Sequence, residues 1–320
     1  MVMNVSVVFS ILQVLKQHKV IKPYTTMNQY VKNFILKTWG VKDRFPGPQP
    51  ISIEFKHFPI LRSNQYVVCE KTDGVRHMMV AIMYEGKKHC VFVNRNFQMF
   101  SVPLHCKSSV FDGTILDGEL YGDTFLVYDT VMIEGTVVGH LDFISRLGHA
   151  EKVIKGLISM KSDRVKVKLK KFHVMKEFKT FMNDYLPTVK ESMDGLIFTP
   201  VNEQVRMGTH ETMFKWKPKE KNTIDFLAKV DARGVWRLYV QEKGKLYLEG
   251  EIPPDKADDI PILENGAILE CMYMERDTPM WWKPLLKRED KDYPNNRRTF
   301  YRTLVNITED IKMTDFLRCI

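Results

Sequence analysis

The chain of 320 residues is poor in cysteine, has no long apolar run and carries neither an internal repeat nor a low-complexity tract. Its five cysteines, Cys69, Cys90, Cys106, Cys271 and Cys319, are odd in number, scattered and never spaced C-x-x-C. A disulfide scaffold is thereby excluded, a structural zinc site has no ligand spacing to rest on, and a reducing intracellular compartment is expected. No uninterrupted apolar stretch nears the roughly 18 residues that cross a bilayer, so no membrane partner is expected. The N-terminal stretch lacks a basic leader and a small-x-small cleavage site. An amphipathic helix over residues 9–20 is expected there rather than a signal peptide.

What the chain does have is charge. Its 48 Lys+Arg against 39 Asp+Glu give a net +9, which permits a polyanionic partner without requiring one. With 44% apolar and 27% charged residues the composition is that of a globular protein, and the length suggests two domains. The breaker cluster Arg44-Phe45-Pro46-Gly47-Pro48-Gln49-Pro50 separates a helical N-terminal stretch from a region of short β-branched and aromatic strands. Strands are expected over 66–70, 77–84, 90–94, 114–121, 125–132, 195–199 and 212–217, and helices over 142–159 and 174–185. A second set of strands starts at 223 and continues over 234–240, 246–249 and 267–274, which suits a small barrel of the OB type. A closing helix is expected over 308–317. The fold class is α+β with antiparallel sheets, and a domain boundary is expected within 219–222.

The sharpest motif is Lys71-Thr72-Asp73-Gly74-Val75-Arg76. An apolar strand delivers a lysine into a glycine-containing turn, where the flanking backbone can hold it close to a ligand. To act as a nucleophile the lysine must lose a proton, and at an unperturbed pKa only about one in 2,500 is neutral at pH 7. Burial or nearby cations are therefore expected to depress its pKa. Alone the pattern also reads as a surface turn. It is followed, however, by Asp117-Gly118-Glu119, by the strand-terminal Tyr128-Asp129, and by Asp194-Gly195 opening another strand. Then come Lys215 and Lys217, two apart on one expected strand face, and the cluster Lys287-Arg288-Glu289-Asp290-Lys291. Carboxylates can hold Mg²⁺ through oxygen ligands, and paired cations can neutralise phosphate oxygens.

In this order the motifs resemble the covalent nucleotidyltransferases, the family of capping guanylyltransferases and polynucleotide ligases, from about Phe45 to the C-terminus. The forms K-T-D-G-x-R, M-F-K-W-K-P and R-x-D-K are similar to the capping branch, and within it to the small single-chain enzymes of large DNA viruses of algae, which implies a viral origin. The resemblance implies a nucleotidyltransferase domain over 1–221 and an OB-fold β-barrel domain over 222–305. A cleft would lie between them, and a helix within 306–320 would pack back on the first domain. It implies that Lys71 attacks the α-phosphorus of GTP, releases pyrophosphate and passes GMP to a 5′-diphosphate RNA, with Mg²⁺ or Mn²⁺. The roles it implies are ribose contact for Arg76 and Arg95, and ribose or metal contact for Glu119. Tyr128 and Ile197 would cover the two faces of guanine, and Lys170 would read O6. Asp129 and Asp194, with Asp117, would be carboxylates near the lysine and metal. Lys215 and Lys217 would bind the α-phosphate, and Arg288, Asp290 and Lys291 the outer phosphates. Tyr128 stands where the viral relatives have phenylalanine. A monomer acting with a separate RNA triphosphatase and cap methyltransferase is implied.

An ATP-dependent ligase shares the lysine and the intermediate, but not the R-x-D-K form. A non-catalytic RNA-binding module would not retain every charged motif residue. His89-Cys90 through Arg95 superficially matches a cysteine-phosphatase loop, but has four residues between Cys and Arg and no glycine. The lysines and arginine of 161–171 either guide RNA or form a solvated strand face.

Overall fold

A computed structural model describes residues 19–21, 25–161, 163–289 and 291–320. The expected helix over 9–20 falls mostly outside them; Lys19–Ile21 is a short edge strand. Two compact units are distinguished. The smaller contains Ser52–Phe58 and Trp216–Phe316, and the larger contains the remainder of the described chain.

The larger unit is built on two sheets. The first has eight strands in the order Lys19–Ile21, Met99–Ser101, Lys87–Asn94, Val75–Tyr84, Thr114–Tyr121, Thr124–Ile133 and Lys166–Leu169, with Thr136–Val137 paired to Thr124–Ile133. All its pairings are antiparallel except that of Lys166–Leu169 with Thr124–Ile133. Alternation along the strands explains why both faces are apolar. Met78, Val80, Val91 and Val93 turn to one side, with Val31 and Ile35 of helix Thr26–Trp39. Met79, Ala81, Phe92 and Leu116 turn to the other, with Ala150 and Val153 of helix Phe143–Lys155. Both helices start on a side-chain cap, the Thr25 hydroxyl taking Asn28 N–H at 3.1 Å and the Asp142 carboxylate taking Ser145 N–H at 2.9 Å.

The second sheet has the order His173–Val174, Tyr66–Thr72, Met193–Pro200, Gly208–Trp216 and Pro48–Ser52. The breaker cluster read as a separator thus ends in an edge strand, where proline's missing N–H costs no ladder bond. The segment expected as a helix over 174–185 is helical from Met175 to Thr188, but as successive short 3₁₀, α and π turns rather than one regular α-helix. Its aromatics decide this: Phe178 and Phe181 are fully buried, and Phe178 stacks on Phe198 of the sheet.

The smaller unit has one five-stranded antiparallel sheet in the order Lys245–Ile252, Trp236–Glu242, Thr223–Val230, Ile268–Met274 and Trp281–Lys287. It curls until its edge strands meet, a Cβ built on Gly250 lying 3.1 Å from the Trp282 ring. Among the described residues no ladder joins those edges, so the barrel expected from the strand pattern is not closed by hydrogen bonds. The closing helix expected over 308–317 is met in part by a 3₁₀ run over Met313–Cys319, which follows an α-helix over Arg297–Glu309. Phe300 of that α-helix packs on Phe226 and Trp282 at 5.9 and 5.8 Å between ring centres.

Candidate active site

A cavity of about 310 Å³ lies within the larger unit, lined among others by Lys71, Arg76, Arg95, Glu119, Tyr128, Asp129, Lys170, Ile197 and Lys215. Residues scattered over 145 positions are brought together by two sheets. Tyr66–Thr72 carries Lys71, Thr114–Tyr121 carries Glu119, Thr124–Ile133 carries Tyr128 and Asp129, Met193–Pro200 carries Ile197, and Gly208–Trp216 carries Lys215.

Lys71 Nζ donates to Asp194 Oδ1 at 2.8 Å. The Met193–Pro200 strand pairs with the Lys71 strand, but the register slips between Met193 and Gly195, leaving Asp194 as the extra residue of a β-bulge. Such a bulge re-aims one side chain, here toward the lysine. Burial lowers the Lys71 pKa, but the charges of Asp194 and Glu119 and the Asp194 hydrogen bond outweigh it and hold it above the ordinary value. The expectation of a depressed pKa is therefore corrected: the pocket holds an ammonium, because its carboxylates exceed the effect of its burial. Glu119 is itself pushed up by burial, against the pull of Lys71 and Lys170, with Asp194 raising it further.

Two arginine–carboxylate pairs brace the walls. Arg76 grips Asp117 through Nε at 3.0 Å and Nη2 at 2.5 Å, and donates to the Pro48 carbonyl at 3.2 Å. Gly47 is required beside it, since a Cβ there would lie 1.8 Å from Arg76 Nη2. The Tyr128 hydroxyl donates to the same Asp117 at 3.0 Å. Asp129 is gripped by Arg146 through Nε at 2.8 Å and Nη2 at 3.0 Å. Asp117 and Asp129, expected near the lysine and metal, are thus engaged by arginines. Arg146 escaped the motif reading. Its signal was an arginine on the apolar face of helix Phe143–Lys155, between Phe143 and Leu147.

Lys170 is buried and donates to Thr72 Oγ1 at 2.5 Å, with Glu70 Oε1 at 3.1 Å. Arg95 lines the cavity from an exposed position. Lys217 is not on the Lys215 strand, which ends at Trp216. Arg288 and Lys291 lie in the smaller unit, where both pair with Asp225, Arg288 at 3.1 Å; Arg288 also pairs with Glu270 at 3.1 Å. Asp290 lies outside the described residues. Neither Asp225 nor Glu270 was singled out from sequence, since an acid within an apolar strand carries no spacing signal. Cys90 is a buried strand residue with its thiol pushed up by burial, which removes the phosphatase-loop reading. Among the 161–171 cations, Lys166 pairs with Asp123 at 2.8 Å and Lys168 is exposed. Among the described residues no three His, Cys, Asp or Glu side chains gather as metal ligands, and no helix is long and apolar enough to cross a membrane.

Residues 11–219 match the family model described as mRNA capping enzyme, catalytic domain. The chain is 28% identical to the mRNA-capping enzyme subunit alpha of Schizosaccharomyces pombe, over 90% of this chain and 83% of that protein. It is 28% identical to the mRNA-capping enzyme of Danio rerio, over 78% of this chain but 45% of that protein, so it spans under half of that relative's length. Among solved structures, a mycobacterial DNA ligase D complexed with ATP and MES aligns at 13% identity and a TM-score of 0.42, over 76% of this chain and 94% of that one.

Proposed function

The chain belongs to the mRNA capping enzyme family, and we propose that it is an RNA guanylyltransferase whose nucleophile is Lys71. The observation that carries this is a lysine at the wall of a nucleotide-sized cavity, hydrogen-bonded at 2.8 Å to a carboxylate that can take its proton. The Lys71 ammonium first gives one proton to Asp194 or water, and the neutral Nζ then attacks the α-phosphorus of GTP. A P–N bond forms, the α–β P–O bond breaks, pyrophosphate leaves, and the second Nζ proton passes to water. A terminal oxygen of a 5′-diphosphate RNA then attacks the same phosphorus. The P–N bond breaks, Lys71 regains a proton and a GpppN end results.

Lys215 stands at the cavity to offset charge on the α-phosphate, and Lys217 is assigned the same role from its motif. Tyr128 and Ile197 offer an aromatic and an aliphatic surface to the base, while Arg76, Arg95 and Glu119 face the sugar. Asp117 and Asp129 hold the arginines that shape the walls. Arg288, Asp290 and Lys291 are assigned to the outer phosphates, and the curled five-stranded sheet, whose last strand ends at Lys287 just before Arg288, to an OB-type module. Glu119 and Asp194, both close to Lys71, fit a Mg²⁺ or Mn²⁺ ion completed by phosphate oxygens and water, as such ions commonly need only one or two protein carboxylates. When bound, the ion neutralises phosphate charge. The chain is further read as a monomer that receives its RNA from a separate triphosphatase and passes the cap to a separate methyltransferase.

The test is covalent label transfer. Incubation with α-labelled GTP should leave denaturation-stable label on the wild type and none on Lys71→Ala, and ATP should label the wild type far more weakly than GTP. Label from ATP alone would move the chain to the ligases.

A further inference from the structure

Lys170 and Glu70 both line the cavity, and Lys170 acts on Glu119 beside Lys71 but is itself held by other side chains. Its ammonium donates to Thr72 Oγ1 at 2.5 Å and pairs with Glu70 Oε1 at 3.1 Å, with the Lys170 and Glu70 side chains 3% and 6% exposed. Glu70 and Thr72 are two apart on one strand and so share a face, the opposite one to Lys71. The phenol of Tyr185 stands against the same Glu70 carboxylate, its pKa driven up by burial and then by that charge. An ammonium has three N–H bonds and no acceptor. Two are engaged by Glu70 and Thr72, and the third belongs to a side chain that lines the cavity.

That arrangement has a consequence for the base. Guanine carries an acceptor at position 6, the O6 atom, where adenine carries an amino donor. A donor-only group fixed at the cavity wall is satisfied by the first and opposed by the second. Fixing is the difficulty for lysine, whose four-carbon stem is flexible and whose charge is costly to bury alone. We propose that Glu70 is a positioning residue for base selection: with Thr72 it fixes the Lys170 ammonium so that its remaining N–H meets a 6-keto purine and rejects a 6-amino one. This rests on the nucleotidyl-transfer reading, and adds to it the group that makes the base-reading lysine selective.

The test measures kcat and KM for label transfer from GTP, ITP and ATP, ITP being a second 6-keto nucleotide. Wild type, Glu70→Gln, Glu70→Asp, Lys170→Met and the Glu70→Gln/Lys170→Met double variant are compared. Glu70→Gln is expected to raise KM about tenfold for both GTP and ITP, about 1.4 kcal/mol, with kcat and ATP use changed less than threefold. Glu70→Asp, which keeps the charge, should recover part of the loss, and the double variant should be no less selective than Lys170→Met alone. Equal losses with all three nucleotides, or effects of the two substitutions that multiply, would overturn the proposal. Thermal melts accompany each variant. If Glu70→Gln does not fold, Glu70→Asp must still lower the GTP-to-ATP preference in the direction of Lys170→Met, and an unchanged preference overturns the proposal. A wild type that takes no label from GTP strikes the guanylyltransferase reading instead, and is seen before any variant is compared.

Discussion

Asp194 is the extra residue of a β-bulge, and its Oδ1 lies 2.8 Å from the Lys71 ammonium that the paired strand presents. The carboxylate both holds the nucleophile in place and keeps it protonated. The Asp194 charge and hydrogen bond are upward influences on a lysine whose burial acts downward. Asp194→Asn removes them, so the Lys71 pKa should fall. The pH at which Lys71 becomes reactive toward an amine-selective reagent, read by mass spectrometry of the Lys71 peptide, should shift to lower pH in the variant. Stability should follow the same sign. A lysine with a raised folded pKa stabilises the protein fully below its unfolded pKa and loses that contribution as pH rises through the folded one. Asp194→Asn should therefore cost stability at neutral pH and progressively less in strong alkali. An unchanged reactivity profile would show that Asp194 does not control the proton.

Tyr128 is tied to the neighbouring strand of its own sheet. Its hydroxyl donates at 3.0 Å to Asp117, which is already gripped by Arg76. Phenylalanine would fill the same space without that bond. Tyr128→Phe should lower stability by about 1–2 kcal/mol, toward the small end for a bond to a charged acceptor because Asp117 keeps both arginine bonds. It should raise KM for GTP more than it lowers kcat, since the ring survives but its orientation is less fixed. Thermal melts and label-transfer kinetics check both parts. An unchanged KM would mean that packing alone orients the ring.

Most of this site was readable because its residues are short motifs with chemically distinctive side chains. Lys71, Arg76, Glu119, Tyr128, Ile197, Lys170 and Lys215 all line one cavity. What stayed hidden depends on pairing. The bulge at Asp194 is a property of two strands together, the Asp129–Arg146 grip joins a strand to a helix, and Glu70 reaches Lys170 across 100 positions. None of these has a local spacing. The fold shows the same division. Strands with alternating apolar residues were legible, whereas edge strands such as Pro48–Ser52 and Lys166–Leu169 lacked the apolar density of central ones. The sign of the Lys71 pKa shift was also hidden, since it is set by a balance of burial and carboxylates that only the assembled pocket defines.

Two glycines separate functional from incidental backbone. A Cβ on Gly74 would lie 2.7 Å from the Leu120 carbonyl oxygen and 2.8 Å from Glu119 Cγ, whereas one on Gly148, inside helix Phe143–Lys155, would meet nothing within 4 Å. Gly74→Ala should cost about 1–3 kcal/mol through overpacking and, by displacing Glu119, depress label transfer more than tenfold. Gly148→Ala should instead stabilise by about 0.5–1 kcal/mol, the helix-propensity difference, and leave label transfer unchanged. Denaturant melts with label-transfer rates distinguish the two. Similar behaviour of both variants would refute the assignment of Gly74 to the site.

Arg146 and Asp129 form a buried pair, with side chains 3% and 8% exposed and two hydrogen bonds between them. Arg146 also donates to the carbonyls of Leu141 at 2.6 Å and Glu203 at 2.9 Å, so it ties the Asp129 strand to the start of its helix and to the loop between Met193–Pro200 and Gly208–Trp216. Removing one partner leaves a buried charge, at a cost of about 3–5 kcal/mol, while replacing both is far milder. Arg146→Met should therefore be much less stable than Arg146→Met combined with Asp129→Leu. The pH dependence separates this from lost packing. Burial already pushes the Asp129 pKa up, and Arg146 is the principal influence restraining it. Without Arg146 the folded pKa should rise further above the unfolded one. The protonated form then favours the folded state at acid pH, and that contribution is lost as pH rises through the folded pKa. The stability deficit of Arg146→Met should accordingly be smaller in mild acid than at neutral pH, and the double variant should show no such slope. Equal deficits at both pH values would mean that Arg146 acts through its carbonyl contacts rather than through the Asp129 charge.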